Sequence, residues 1–357
     1  MANTIQSPGL WLFSNNPIVF KLTGFVDSFV YVKITALSEV ITTKYYLRNG
    51  GCEIDLSGYI KNLFSEFKNV DYSVAYDESD TMKVVQIEIY SVYSSPYYSQ
   101  NHFVVYGVTQ ILGSDIGIFS DSEPDNKFLT GFTRPKYWIG FPFSVSVIST
   151  LTNFSDNYII LENNISGYQT EETNLSAQSV RHFMVSSYVN HAMMAGNYLA
   201  LSVYEDDASG VRMTELLLID IVKEYIKEAV YLRWLNQFGG YDYYMFYKKD
   251  VKETPKTSFV NKYPSTLNSV SGYHPGTMKT IKKEIAEIWV IGANNLTRNE
   301  YNELRKISRS QKIDIYIPGQ TTWMGVNVQD STWTVPQDEE MMDLELNLLM
   351  PEIFTQC

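Results

Sequence analysis

The stretch Tyr231–Phe246, "YLRWLNQFGGYDYYMF", is the most aromatic in the chain. Its paired glycines, Gly239 and Gly240, separate two runs of strand-forming residues, a pattern that predicts a β-hairpin with a two-residue turn. Counting outward from that turn sets Phe238 opposite Tyr241, Trp234 opposite Met245 and Leu232 opposite Tyr247 on one side. On the other side Leu235 meets Tyr244 and Arg233 meets Phe246. The first side is almost continuously apolar, so Trp234 is expected to point inward. The second joins a cation to aromatic rings, and Arg and Tyr are enriched at protein contacts. Arg233, Tyr244 and Phe246 are therefore the candidate interface residues. An exposed aromatic platform for a sugar is the competing reading, and the expected burial of Trp234 weighs against it.

Period-two alternation continues outward in both directions. "FVYVKIT" places Val30, Val32 and Ile34 on one side, and "VVQIEIYSVY" does the same with Val85, Ile87 and Ile89, the pattern of half-buried strands. Asn49-Gly50-Gly51 marks a turn. "DLSGYIKNLFSEF" carries Ile60, Leu63 and Phe64 on one helical face. Near the C-terminus, Thr297 and Glu300 have the spacing of a capping box, Leu296 and Tyr301 that of a hydrophobic staple, and Tyr301, Leu304 and Ile307 form one buried helix face. "TIKKEIAEIWVIG" fits either a helix or a strand, and strand is favoured.

The expected fold class is mainly β: antiparallel β-sandwich-like domains with a few short helices, and a small C-terminal β-sheet with one helix. Expected domains are an N-terminal sandwich over 1–120, a central β domain over 121–250 with the hairpin, an extended loop or arm over 251–279, and the sheet-plus-helix element over 280–357. The polar segment Ser120–Lys127 is the expected first junction, and the arm rests on its prolines, Pro255, Pro264 and Pro275, and weak periodicity.

The chain has 28 Lys and Arg against 40 Asp and Glu, a net charge of −12. That balance repels phosphate backbones and anionic membranes, so neither nucleic acid nor membrane insertion is expected. No eight-residue stretch is dominated by Lys and Arg. The two cysteines, Cys52 and Cys357, read as free thiols of a reducing cytoplasm, and "MANTIQSPGLWLFSNNP" lacks the basic start of a signal peptide. The four histidines are scattered without metal-ligand spacing. No phosphate loop, dinucleotide fingerprint or nucleophile elbow occurs. The adjacent acidic pairs Asp206-Asp207 and Glu339-Glu340 read as solvated turns, because neighbouring strand residues face opposite ways. No catalytic, metal or cofactor residue is expected, and the chain does not read as an enzyme.

The hairpin stretch resembles a recurrent motif in virion structural proteins of tailed phages and prophages of Bacteroidetes, of the tail-hub and distal-tail kind. "GLWLFSNNPIVFKLTG", "KFLTGFTRPKYWIGFPFSVSVI" and "LTRNEYNELRKISRSQKIDIYI" are similar to other segments of the same group. The resemblance covers nearly the whole chain, most weakly at 150–215 and 250–280, and its motifs concern turns and packing. It implies a non-catalytic tail protein, made in the bacterial cytoplasm and resident in the virion. Its implied state is a homo-oligomeric ring touching other tail or neck proteins. A carbohydrate- or receptor-binding tail-tip protein and a tail-associated hydrolase are the alternatives.

Overall fold

The computed structural model describes residues 3–357 apart from 38, 65–66, 68–69, 73–75, 79, 92–94, 108–109, 112–113, 116–125, 150–156, 164–168, 174–178, 189–196, 206–210, 225–227, 263–276, 330–340, 352 and 356–357. The fold is mainly β. It divides into two compact units: Met1–Glu224 with Leu235–Asp242, and Tyr225–Trp234 with Tyr243–Cys357.

The first unit opens with a five-stranded sheet in the order Trp11–Phe13, Tyr98–Val105, Met82–Tyr90, Phe29–Ala36, Glu39–Tyr46. Its register sets Val32 against Ile89 and Ile34 against Ile87, so the alternating aliphatics of both strands share one buried face. A three-stranded sheet, Thr4–Gln6, Val19–Thr23 and Cys52–Asp55, packs on that face. The Phe20 ring meets Tyr98 edge-on at 5.5 Å and His102 at 5.9 Å. The Asn49-Gly50 turn forms as expected, with positive φ at both residues and Arg48 and Gly51 exchanging backbone hydrogen bonds. The helix expected downstream spans Ser57–Asn62.

Among the described residues, this unit also holds a two-stranded pair, Gln110–Ile111 with Ser114–Asp115, and two larger sheets. One has the order Asn126–Phe128, Val145–Ser149, Ser179–Phe183, Tyr76–Glu78. The other runs Lys136–Trp138, Leu217–Val222, Tyr198–Glu205, Asn157–Asn163, Gln169–Thr173. Tyr76–Glu78 pairs with Ser179–Phe183, so residues before and after 120 share a sheet. The division at 120 therefore differs from the one the structure makes. Residues 120–125 of the expected junction lie outside the described residues, and Asn126–Phe128 is a strand.

The second unit is a closed barrel. Around it run Tyr241–Lys262, Ala229–Leu235, Ile313–Ile317, Thr322–Val328, Met342–Leu349 and Thr277–Leu296, and the last pairs again with the first. Closure removes the exposed strand edges that invite wrong pairing. Leu232 faces Ile315, Ile313 faces Val326, and Leu346 faces Ile291. All six are buried and line one side, the barrel interior. Thr297 caps the helix Arg298–Leu304 with both halves of the expected capping box: its hydroxyl accepts from the Glu300 amide, and Glu300 Oε2 accepts from the Thr297 amide at 2.9 Å. Tyr301, Leu304 and Ile307 are buried.

The small C-terminal sheet expected over 280–357 is thus part of a barrel that also needs the strands before 250. The arm expected over 251–279 is strand at 251–262 and 277–279, while 263–276 lie outside the described residues. Those strands pair from Tyr247–Gly292 to Lys262–Thr277. Pairing is a backbone property, and alternation reveals a strand in sequence only where one face is buried.

His102 tests how the first unit is tied together. It is fully buried, with Nδ1 2.7 Å from the Gly9 carbonyl and Nε2 2.9 Å from the Tyr98 hydroxyl. Nδ1 faces a carbonyl, which can only accept, so it donates to Gly9, and the Tyr98 hydroxyl beside Nε2 also donates to Gln100 Oε1 at 2.7 Å. Burial is the largest influence and lowers its pKa below the usual 6.5, against the Gly9 bond, which raises it. The unfolded chain therefore binds this proton more readily, and the stabilisation is complete above the unfolded pKa and lost as pH falls through the folded one. His102→Gln is expected to lower the urea midpoint near neutrality and to flatten its decline between about pH 7 and about pH 5. An unchanged pH slope in the variant would contradict this role.

Candidate functional site

The hairpin Tyr231–Phe246 is divided between the units, its tip Leu235–Asp242 in the first and its flanking strands in the second. The tip is not the two-residue turn expected from Gly239-Gly240. Asn236 closes it: its amide donates to the Gly240 carbonyl at 2.8 Å, and Gly239 N–H donates to the Asn236 carbonyl at 3.3 Å. Gln237, Phe238 and Gly239 form a three-residue loop, with Gly239 at φ +86°, the loop type that ends in a left-handed residue. The Asn236 side chain supports it from inside. Its Oδ1 accepts from Phe238 and Gly240 N–H at 2.9 and 3.1 Å, and its Nδ2 donates to the Leu129 carbonyl at 2.8 Å. An asparagine that mimics a backbone turn in this way displaces the default glycine turn.

Within the first unit the tip is held by backbone contact. A Cβ on Gly239 would lie 2.2 Å from the Tyr106 carbonyl oxygen, and one on Gly240 would lie 2.1 Å from that of Leu129. Phe238 packs against the cluster of Phe13, Val105, Leu129, Ile148 and Val180. Asp242, buried, accepts from the Thr130 hydroxyl at 2.6 Å and from Gly131 N–H at 3.4 Å. Tyr241 N–H donates to Ser146 Oγ, which lies 2.9 Å from His182 Nδ1. A serine beside a histidine is the starting pair of nucleophilic catalysis. Here both are cross-strand neighbours and only 1% and 2% exposed, and the serine is engaged in holding the hairpin.

The three-residue loop changes which side chains share a side. In the second unit, Tyr231 stacks on Tyr243 at 6.1 Å, and Trp323 lies 5.8 Å from Tyr231 and 6.2 Å from Tyr243. Arg233 belongs to this side. Its Nε donates to Asp314 Oδ2 at 2.8 Å, and its guanidinium carbon lies 4.4 Å from the Trp323 ring centre. Tyr244 and Phe246 lie on the opposite, barrel-interior side with Trp234, their rings 5.2 Å apart. The expected Arg233–Phe246 pairing is therefore replaced by Arg233 with Asp314 and Trp323. Sequence reasoning missed those two partners because they lie more than eighty residues downstream.

Arg233, Tyr244 and Phe246 are 0%, 6% and 0% exposed. The three candidate interface residues are thus enclosed by this chain's own fold rather than displayed for a neighbour. Trp234 is inward, at 2% exposure. Burial first, and the Glu300 carboxylate second, push the Tyr244 hydroxyl far above the ordinary tyrosine value, so it stays neutral.

Exposed rings occur on the outer side of the five-stranded sheet, where Tyr46 stands beside Phe29, Tyr31 and Tyr90. Lys44 Nζ sits 3.7 Å over the Phe29 ring, and Tyr31 stacks on Tyr90 at 5.8 Å. These ring faces are occupied by neighbours, which is poor geometry for stacking a sugar. Among the described residues, no three His, Cys, Asp or Glu side chains converge as a metal site would require. Among the same residues, no helix is long and apolar enough to cross a membrane.

Two substitutions report on the hairpin. Gly240→Ala forces a Cβ into a carbonyl oxygen and should cost on the order of 2–4 kcal/mol. Gly58→Ala, in a helix with open space around it, should be neutral or stabilise by up to about 1 kcal/mol; equal denaturation midpoints for the two would refute the close approach. Arg233→Ala strands Asp314 in a buried setting and should cost about 3–5 kcal/mol, whereas Arg233→Met with Asp314→Leu should recover most of that loss. A double variant as unstable as the single would show that the pair is not the source of the cost.

No protein-family model matches the chain, and no curated protein is matched by it. Among solved structures, it is similar to fibronectin(III)-like modules of Clostridium thermocellum CbhA, at 11% identity over 63% of this chain and 98% of that one, with a TM-score of 0.16.

Proposed function

We propose that the protein is a structural component of a phage tail: a hub, distal-tail or adaptor ring subunit that joins tail or neck to baseplate or fibres. It acts by oligomeric assembly and not by catalysis. One observation carries the reading. The stretch on which the family resemblance rests is devoted to packing, with Asn236 holding the turn, Asp242 held by Thr130 and Arg233 held by Asp314. A motif whose polar groups are committed internally serves shape, and a defined shape is what a ring subunit supplies. The mainly β architecture, with a closed barrel as its second unit, is compatible with that role.

Assembly places the protein in the virion after synthesis in the host cytoplasm, in contact with copies of itself and with neighbouring tail proteins. The test is location. Antibody raised against the protein, applied to purified particles from the encoding host, should decorate the tail or neck under immunogold microscopy. Particles that lack the protein by mass spectrometry would refute the proposal. Glycan-array binding abolished by Tyr46→Ala or Tyr90→Ala would replace it with the receptor-binding reading.

A further inference from the structure

The sheets of the first unit are open, and one of their edges is unlike the others. Glu39–Tyr46 ends the five-stranded sheet, pairing with Phe29–Ala36 on one side and, among the described residues, with no strand on the other. Every other strand at a sheet edge in this unit spans five residues or fewer among the described residues. Short edge strands prevent unwanted pairing, and prolines, bulges and guarding lysines serve the same end. Glu39–Tyr46 runs for eight residues, about 27 Å at the usual rise. It holds no proline and keeps one register with its neighbour throughout. Val40, Ile41, Thr42, Thr43, Tyr45 and Tyr46 are all strong strand formers. Its lysine does not guard the edge. Lys44 Nζ lies 3.7 Å over the Phe29 ring and 5.0 Å over the Tyr46 ring, on the outer face of the sheet.

One hydrogen bond fixes which backbone groups line this edge. Leu47 N–H donates to the Ser28 carbonyl at 3.0 Å, one step beyond the pairing of Tyr46 with Phe29. Bonded and non-bonded pairs alternate along an antiparallel ladder. Tyr45, Thr43 and Ile41 therefore bond inward to Val30, Val32 and Ile34. The N–H and C=O groups of Val40, Thr42, Lys44 and Tyr46 point outward along the free edge. Val40 and Tyr46, near the two ends of that row, are 57% and 70% exposed.

We infer that Glu39–Tyr46 pairs antiparallel with Glu39–Tyr46 of a second copy of this chain, continuing one sheet across a two-fold axis. The edge is complementary to itself. A two-fold perpendicular to the sheet keeps outer face with outer face and sets outward backbone groups opposite their own counterparts. With Thr43 opposite Thr43 of the second copy, Val40 meets Tyr46 and Thr42 meets Lys44 along the whole strand. The two exposed apolar side chains then cover each other. No two like charges stand directly opposite, an arrangement that destabilises cross-strand pairs. The contact goes beyond the tail reading, because it needs no third protein.

Two kinds of variant of the full chain test it. Thr42→Pro deletes an outward N–H and no bond of the sheet's own ladder, because Thr42 stands opposite Lys33 in a non-bonded pair. Val40→Lys/Tyr46→Lys leaves the backbone intact and places charge along the edge. Sedimentation over a wide concentration range reads association, and circular dichroism checks folding. Wild type should dimerise, and both variants should weaken the dimer at least about tenfold, since each change counts twice across a two-fold. The register is read by Thr43→Cys in a Cys52→Ser/Cys357→Ser background. Thr43 lies in a non-bonded pair of the new ladder, where Cα atoms stand about 4.5 Å apart, within disulfide reach. Oxidation should link two copies through Cys at 43, and exposed Ser99→Cys in the same background should not link. Wild type that is monomeric at every concentration overturns the edge pairing and leaves the tail reading to the immunogold experiment. A dimer that survives both edge variants overturns it as well. Loss of the dimer without the Thr43→Cys link, or equal linking at Ser99→Cys, overturns the two-fold register.

Discussion

The loop Gln237-Phe238-Gly239, and the absence of space around it, constrain more of this molecule than any other feature. Carbonyl oxygens of Tyr106 and Leu129 occupy the positions where side chains of Gly239 and Gly240 would begin. The tip is a core part of one unit and its legs are staves of the other, so its geometry sets which leg residues share a side. A two-residue loop would put Arg233 on one side with Phe246. The three-residue loop puts Arg233 with Tyr231 and Tyr243, and sends Tyr244 and Phe246 into the barrel with Trp234. In a period-two element a change of this kind exchanges interior for exterior.

The buried Arg233–Asp314 pair is best understood against that requirement. Each fully buried Leu, Ile or Phe of the barrel contributes about 1.5–3 kcal/mol, whereas a buried ion pair comes close to cancelling its own desolvation cost. The apolar interior therefore supplies the stability. The pair makes errors expensive: a slipped register would separate the guanidinium from both Asp314 and the Trp323 ring and leave a charge buried without compensation.

Much of the local structure was legible before any coordinates. The alternation in Phe29–Ala36 and Met82–Tyr90, the Asn49-Gly50 turn and the capping box at Thr297 and Glu300 each depend on residues a few positions apart. Such signals survive in a one-dimensional reading. Strand was also the better reading of Ile285–Ile291, where the apolar pattern fits both periods. The arm at 251–262 was misread because its sequence shows weak alternation, although its backbone pairs with 277–289. The candidate interface residues were misplaced because an asparagine, and not the two glycines, closes the turn.

The sequence by itself determined the fold class, many strand positions, the capped helix and the inward Trp234. These follow from periodicity, turn chemistry and composition, which act locally or as sums. Only the tertiary structure decided that six strands close into a barrel, that Tyr76–Glu78 joins a sheet from beyond residue 120, and that Arg233 meets Asp314 and Trp323. Those outcomes depend on backbone hydrogen bonds and contacts between residues far apart in the chain, where many partners satisfy the same pattern and only simultaneous packing selects one.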